Sequence, residues 1–164
     1  MTNQIPTQET LITKSIDDKN SSILCNEKIV VFLVDDDKLY LKSLEALFHE
    51  NSNFLVTTFL TGEACLQNIY LKPDVIILDY FLNSSTGNSK NGLEIMTSIK
   101  EVSVETPVIM LSSNESAEIA VNCMKKGAFD YTIKNENTFL KLKQSIKKIL
   151  SISSKEKELI VWDW

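Results

Sequence analysis

The chain has 164 residues, 43% hydrophobic and 24% charged, with a formal net charge of −5 at pH 7. This length and composition predict one domain built around a single core. The acidic balance argues against sequence-independent nucleic-acid binding, which depends on basic contacts to phosphate. The sequence has no apolar run long enough to span a bilayer and no signal-peptide core, so we expect a cytoplasmic protein without membrane contact.

Cysteine and histidine usage narrows the chemistry further. Cys25, Cys65 and Cys123 are widely spaced and form no metal-ligand pattern, which predicts reduced thiols in a cytoplasmic protein. His49 is the single histidine of the chain. A histidine-based metal site or a Ser-His-Asp triad therefore has no basis in this sequence.

The chain divides into three parts. Residues 1–26 are polar without a sustained hydrophobic period, which predicts a flexible leader. Residues 27–150 are predicted to form the folded domain, and residues 151–164 a C-terminal tail that is too short for an output domain. Five short apolar segments predict strands: IVVFLV (29–34), FLVTTF (54–59), VIILD (75–79), VIML (108–111) and AFDYTI (128–133). Helical spacing predicts helices at 37–51, 61–69, 93–102, 115–126 and 135–150.

Strands that alternate with helices predict a doubly wound α/β fold, a five-stranded parallel sheet with helices on both faces. In such sheets the ligand crevice lies at the carboxyl ends of the strands. Polar residues follow the predicted strands at this edge. They are Asp35 and Asp36 after the first strand, Asp79 at the end of the third, Ser112 after the fourth and Lys134 after the fifth.

The three consecutive aspartates at 35–37 repel one another, and a counter-charge would relieve that repulsion. Hard oxygen ligands suit Mg²⁺, so we expect a magnesium ion held by Asp36 and Asp79, with Asp35 in support through water. Asp37 is expected to cap the following helix instead, where its charge favours the positive end of the helix dipole.

A carboxylate beside Mg²⁺, a hydroxyl and an ammonium group suits phosphoryl transfer, in which an aspartate oxygen attacks phosphorus. Asp79 is the candidate nucleophile, Ser112 the hydrogen-bonding hydroxyl and Lys134 the cation. Each residue alone has an ordinary interpretation: a loop acid, a helix cap and a solvated charge. The prediction depends on their combination at successive strand ends.

At this point the sequence resembles the response regulator receiver domain of bacterial two-component signalling, over about residues 28–150. The matching motifs are FLVDDD with Asp35 and Asp36, PDVIILDY with Asp79, PVIMLSS with Ser112, and GAFDYTIK with Tyr131 and Lys134. The resemblance implies a flavodoxin-like fold with strand order 2-1-3-4-5. It also implies a magnesium site formed by Asp35, Asp36, Asp79 and the backbone carbonyl of Phe81.

By the same resemblance, a histidine kinase or phosphotransfer protein donates a phosphoryl group to Asp79. Ser112 and Tyr131 then act as the switch, and the surface of the fourth helix, fifth strand and fifth helix binds a downstream protein or a second copy of the chain. No direct contact with nucleic acid is expected. The implied chemistry is limited to the domain's own phosphorylation and dephosphorylation, so we do not expect an enzyme.

Three features depart from the family pattern. Asn135 stands where a proline in a cis bond usually follows the lysine. The loop NSSTGNSKNG (83–92) is longer than usual, and Gly92 is expected to fill the family's glycine position after an insertion. Phe81 and Asn114 occupy positions that tune autodephosphorylation, and an apolar side chain at the first predicts a long-lived phosphorylated form.

Two alternatives stay open. A Mg²⁺-dependent phosphohydrolase with an aspartyl nucleophile would use a D-x-D arrangement such as Asp35 and Asp37. The threonine expected just beyond it is missing, and Leu39 and Tyr40 stand there instead. A receiver-like scaffold that is never phosphorylated is the second alternative, and the presence of all five key residues argues against it.

Overall fold

The computed structural model describes residues 28–50, 53–82 and 91–161, with side chains as far as residue 153. The predicted leader, Cys25 and most of the long loop after Asp79 lie outside these residues. Strands β1 to β5 are Ile29–Val34, Phe54–Phe59, Val75–Asp79, Val108–Ser112 and Asp130–Ile133. Helices α1 to α5 are Lys38–His49, Gly62–Gln67, Gly92–Val102, Ala117–Lys125 and Thr138–Val161.

The five strands form one parallel sheet in the order β2-β1-β3-β4-β5, which confirms the predicted fold. Alternate residues of the central strands point to opposite faces and into two separate apolar clusters. One cluster contains residues of α2, α3 and α4, and the other contains residues of α1 and α5. The sheet is therefore covered on both sides, which explains the continuous apolar runs of its central strands.

Several element bounds differ from the predicted ones for local reasons. The second helix is shorter than 61–69, and a turn of 3-10 helix, Ile69–Leu71, follows it. Helix α4 begins at Ala117 because the Ser116 hydroxyl accepts a hydrogen bond from the Ile119 amide at 3.3 Å. On α3, Ile95 is fully buried, whereas Leu93 is half-buried.

The ends of α4 and α5 show two further points. Gly127 has a φ of +98°, as expected of the residue that ends the fourth helix. Helix α5 continues to Val161, well beyond the predicted end at Leu150.

Cys65 and Cys123 are buried free thiols, as predicted. Within the described ranges, no helix has both the length and the apolar character needed to cross a bilayer.

Candidate phosphoacceptor site

The predicted site residues lie together at the carboxyl edge of the sheet because parallel strands all end on the same side. Asp79 pairs in register with Leu111, one residue before Ser112, and Ser112 pairs with Ile133, one residue before Lys134. Asp35 directly follows β1, whose last residue pairs with Leu78. The sheet register thus brings residues from four strands to one place.

Three carboxylates form a cluster at this edge. One oxygen each of Asp35, Asp36 and Asp79 lie within 4.8 Å of one another. Asp35 and Asp79 are only 2% and 3% exposed, whereas Asp36 is exposed. The Asp37 amide donates to Asp35 Oδ1 at 2.9 Å, and the Phe81 amide donates to Asp79 Oδ2 at 3.1 Å. These backbone contacts hold both buried carboxylates in fixed orientations.

Lys134 provides the positive charge within the cluster. Its ammonium donates a hydrogen bond to Asp35 Oδ2 at 2.7 Å and lies 2.7 Å from Asp79 Oδ1. The second contact is a close ion pair, and among the described residues Asp79 Oδ1 makes no hydrogen bond beyond this contact with Lys134. One ammonium therefore bridges two carboxylates and leaves the cluster with an excess of negative charge.

Burial and the contacts of Lys134 with the two carboxylates shift the pKa values of Asp35, Asp79 and Lys134. Burial raises the pKa of Asp35 and of Asp79 above the ordinary value, and Lys134 only partly opposes the rise. Burial alone would lower the pKa of Lys134, but the contacts with Asp35 and Asp79 outweigh it, and the net shift is upward. Ionised aspartates here are costly, which is what a site that gains a cation is expected to show.

The donor set fits the magnesium ion predicted from the sequence. Three carboxylates with closely spaced oxygens, one of them exposed, offer hard ligands and leave room for water. Asp79 Oδ1 still has a free acceptor site. The predicted role of the Phe81 carbonyl as a further ligand stays a prediction.

Ser112 is fully buried at the end of β4, and its hydroxyl oxygen accepts a hydrogen bond from the Asn114 amide at 3.0 Å. The ordinary interpretation of Ser112 as a helix cap is wrong, because Ser116 caps α4. Tyr131 is half-buried, and its hydroxyl donates to the Asn114 carbonyl at 2.7 Å. Asn114 therefore connects the predicted switch hydroxyl with the predicted switch aromatic.

Asn135 and Gly92, at two of the departures from the family pattern, both form backbone hydrogen bonds beside the site. The described peptide bonds are all trans, and the Asn135 amide donates to Thr138 Oγ1 at 2.7 Å. A proline has no such donor. The amide of Gly92 donates to the Tyr80 carbonyl at 3.0 Å, so this glycine contacts the backbone of the residue that follows Asp79.

Sequence reasoning missed two residues beside the site. The ring of Tyr40 lies under the Lys134 ammonium, 4.6 Å from it. Thr138 is buried, and its hydroxyl donates to backbone carbonyls just before and after Lys134. An aromatic residue one turn after an acidic strand end was the available signal for Tyr40. No local pattern singles out Thr138.

The family comparison agrees with this geometry. The sequence model described as response regulator receiver domain matches residues 31–147. The receiver domain of Francisella response regulator 1452 has a TM-score of 0.63 at 25% identity, covering 74% of this chain and 98% of that one. The DrrB receiver domain activated with BeF₃ has a TM-score of 0.64 at 32% identity, covering 76% of this chain and 98% of that one.

Curated relatives are longer proteins. A protein-glutamate methylesterase/protein-glutamine glutaminase of Clostridium acetobutylicum is 31% identical over 117 residues, covering 69% of this chain and 32% of that protein. The protein of the same name from Bacillus subtilis is 34% identical over 110 residues, covering 65% of this chain and 29% of its own length. The chain thus spans about a third of the length of these relatives, and the matched part is the receiver domain.

Proposed function

Because the chain belongs to the response regulator receiver domain family, we propose that Asp79 accepts a phosphoryl group from the phosphohistidine of a sensor kinase or phosphotransfer protein. Receiver domains work with histidine kinases and downstream effectors in two-component signalling. The observation that carries the proposal is the Lys134 ammonium, which lies 2.7 Å from both Asp35 and Asp79 inside the carboxylate cluster. The proposed output is a change of binding surface, without turnover of a separate substrate.

The residues can divide the work as follows. A carboxylate oxygen of Asp79 attacks phosphorus while the bond from phosphorus to the donor nitrogen breaks, and the imidazole leaves with the electron pair. Asp35, Asp36, Asp79 and the Phe81 carbonyl would hold Mg²⁺, which would supply positive charge to offset that of the phosphoryl oxygens. Lys134 transfers part of its ion pairing from Asp79 to the new phosphoryl group. The Ser112 hydroxyl hydrogen-bonds a phosphoryl oxygen.

The switch would start at Asn114. Phosphorylation adds close to two negative charges beside Ser112, which draws its hydroxyl away from the Asn114 amide. The loop between β4 and α4 then shifts, and the hydrogen bond between Tyr131 and the Asn114 carbonyl breaks. Tyr131 is released to rotate inward, toward the core cluster against which it already packs.

The proposed output surface consists of α4, β5 and α5. Val121 and Met124 on α4 and Leu140 on α5 are each about half exposed, at 51%, 47% and 57%. Exposed apolar side chains, together with four exposed lysines on α5, suit a protein partner or a second copy of the chain. The lysines are Lys141, Lys143, Lys147 and Lys148. In a bacterial cytoplasm that partner would be an acidic protein surface.

The test is direct phosphorylation. The protein is incubated with Mg²⁺ and a small acyl-phosphate donor, and the intact mass is recorded beside Asp79→Asn. We expect one phosphoryl adduct that the substitution and a chelator both abolish. Rapid donor hydrolysis without an adduct would instead favour the phosphohydrolase. The absence of both adduct and hydrolysis, with Mg²⁺ still bound, would favour the scaffold or a dependence on one dedicated kinase.

A further inference from the structure

Tyr40 contacts the site through the start of α1. Asp37 caps this helix, and its carboxylate accepts from the amides of Leu39 at 2.9 Å and Tyr40 at 3.1 Å. The cap fixes where the Tyr40 side chain leaves the helix. The Asp37 amide in turn donates to Asp35. The position of Tyr40 is thus tied to the carboxylate that holds Lys134.

The Tyr40 ring is the third group in contact with the Lys134 ammonium, beside the Asp35 and Asp79 carboxylates. Asp35 and Asp79 contact the ammonium at 2.7 Å, and the centre of the Tyr40 ring lies 4.6 Å from Lys134 Nζ. A cation at this distance over a ring face is attracted by the ring quadrupole, most strongly where water is excluded. The Lys134 side chain is only 17% exposed. The ring therefore restricts a long, flexible side chain to one position.

The hydroxyl of Tyr40 does not explain where the ring lies. Its oxygen is inaccessible to solvent, and its polar neighbour is the Thr138 hydroxyl, which donates to the Ile133 and Asn135 carbonyls and forms no well-aligned hydrogen bond with Tyr40. A buried hydroxyl so weakly paired is unfavourable. The ring itself packs against the apolar cluster of α1 and α5. The contact that links Tyr40 to the site is therefore its aromatic face, which a phenylalanine would keep.

We propose that Tyr40 is a positioning residue, whose ring holds the Lys134 ammonium against Asp79 so that the cation is in place when the phosphoryl group arrives. This inference rests on the proposed function, because it concerns the same transfer to Asp79. With an aliphatic residue at position 40, Lys134 would sample other rotamers and water would reach its ammonium. Transfer to Asp79 would slow although every group that touches the phosphoryl group is still present.

The contact can be measured without any phosphoryl donor. In ¹⁵N-lysine-labelled protein, the Lys134 ammonium signal is assigned by its loss in Lys134→Met. The ring current of Tyr40 is expected to shift the ammonium protons upfield. Tyr40→Leu should abolish this shift, and Tyr40→Phe should keep it. An unchanged spectrum in Tyr40→Leu would overturn the inference, since the ring would then not lie over the ammonium.

The effect on transfer is measured with the small donor and saturating Mg²⁺. Tyr40→Leu is expected to slow adduct formation by about three- to tenfold, the rate equivalent of a partly desolvated cation–π contact. Tyr40→Phe should match the wild type within about twofold, which also excludes the hydroxyl. Leu39→Ala is the matched control, because Leu39 is 78% exposed in the same turn. Thermal unfolding of each variant confirms that it is folded.

The outcomes separate the two proposals. If the wild type forms the adduct and Tyr40→Leu forms it equally fast, the positioning role is wrong and the proposed function stands. If Tyr40→Phe is as slow as Tyr40→Leu, the hydroxyl acts and the ring-face role is wrong. If folded wild-type protein forms no adduct with the small donor or with a phosphohistidine donor, the proposed function fails and the positioning role fails with it. Slowing in Tyr40→Leu with rescue in Tyr40→Phe supports the inference.

Discussion

Gly92 lies against the backbone of Asp79 so closely that a Cβ on Gly92 would be 2.0 Å from the Asp79 carbonyl oxygen. The same Cβ would be 2.8 Å from the Tyr80 α-carbon. Both neighbours are backbone atoms, which cannot move aside as the end of a side chain can. The first residue of α3 therefore packs directly against the backbone of Asp79.

This approach predicts that Gly92→Ala destabilises the protein, although alanine is the better helix former. The added methyl group must displace the Asp79 backbone, and we expect the free energy of unfolding to fall by about 2 to 3 kcal/mol. Because Asp79 moves, adduct formation should fall as well. Urea unfolding and intact mass measure the two effects.

Gly127→Ala is the control for Gly92→Ala. Gly127 has a positive φ, but the nearest atom to a methyl group at this position would be Lys100 Cε at 3.9 Å. We expect a cost of about 1 to 2 kcal/mol from the backbone conformation and unchanged phosphorylation. Equal stability of Gly92→Ala and the wild type would contradict the close approach.

The turn after Lys134 predicts the effect of restoring the family's usual residue. Asn135→Pro removes the amide that donates to Thr138 at 2.7 Å and leaves a buried hydroxyl oxygen without this donor. We expect the free energy of unfolding to fall by about 1 to 3 kcal/mol. Asn135→Ala keeps the amide and loses only the exposed side-chain contact with the Asn137 amide, so its effect should be smaller. A more stable Asn135→Pro in chemical denaturation would show that the hydrogen bond is unimportant.

The excess negative charge of the cluster predicts that Asp79→Asn stabilises the protein in the absence of Mg²⁺. The substitution leaves Lys134 paired with Asp35 and removes a buried carboxylate, which we expect to stabilise by about 1 kcal/mol at neutral pH. Mg²⁺ should reverse the order, since a ligand at about 100 times its Kd stabilises the wild type by about 2.7 kcal/mol. Thermal unfolding of both proteins, first with a chelator and then with Mg²⁺, tests the stabilisation by Asp79→Asn and its reversal by the metal.

The difference in stability between the wild type and Asp79→Asn is also predicted to depend on pH. Burial raises the pKa of folded Asp79 above the unfolded value of 3.8. Such a group stabilises the fold below the unfolded pKa, and this contribution is lost as the pH rises through the folded pKa. Without Mg²⁺, the stability advantage of Asp79→Asn should therefore grow as the pH rises above the unfolded value. An advantage that shrinks as the pH rises would mean that the Asp79 pKa is depressed.

Phe81 predicts a slow loss of the phosphoryl group. Its ring packs edge-to-face on Tyr80, with centroids 4.9 Å apart, and it lines a cavity of about 510 Å³ with Ser113, Asn114 and Glu115. An apolar ring in this position offers no hydrogen bond to an attacking water. Phe81→Asn should speed phosphate release several-fold, measured over time on Asp79-phosphorylated protein. Glu118→Gln, on the exposed side of α4, is a control for a surface change and should leave release unaltered.

Local patterns in the sequence predicted most of the architecture. Short apolar segments predicted all five strands, and the continuous runs of the central strands β1, β3 and β4 reflect their burial on both faces of the sheet. The cap at Asp37 was predicted correctly, since an aspartate before a helical period has a local reason to be there. The set of residues at the carboxyl edge was also predictable, because parallel strands all end on that side. The end of α2 and the start of α4 were not predictable, since the first depends on the following turn of 3-10 helix and the second on the Ser116 cap.

Tertiary structure alone decided how those residues meet. Lys134 and Asp35 are 99 positions apart, and only the sheet register places the ammonium between Asp35 and Asp79. The Tyr40 ring under Lys134 and the approach of Gly92 to Asp79 likewise join residues of different elements. Periodicity and capping report the conformation of a segment and its neighbours in sequence. Distances between segments follow from packing the two layers of helices on the sheet, which no single segment encodes.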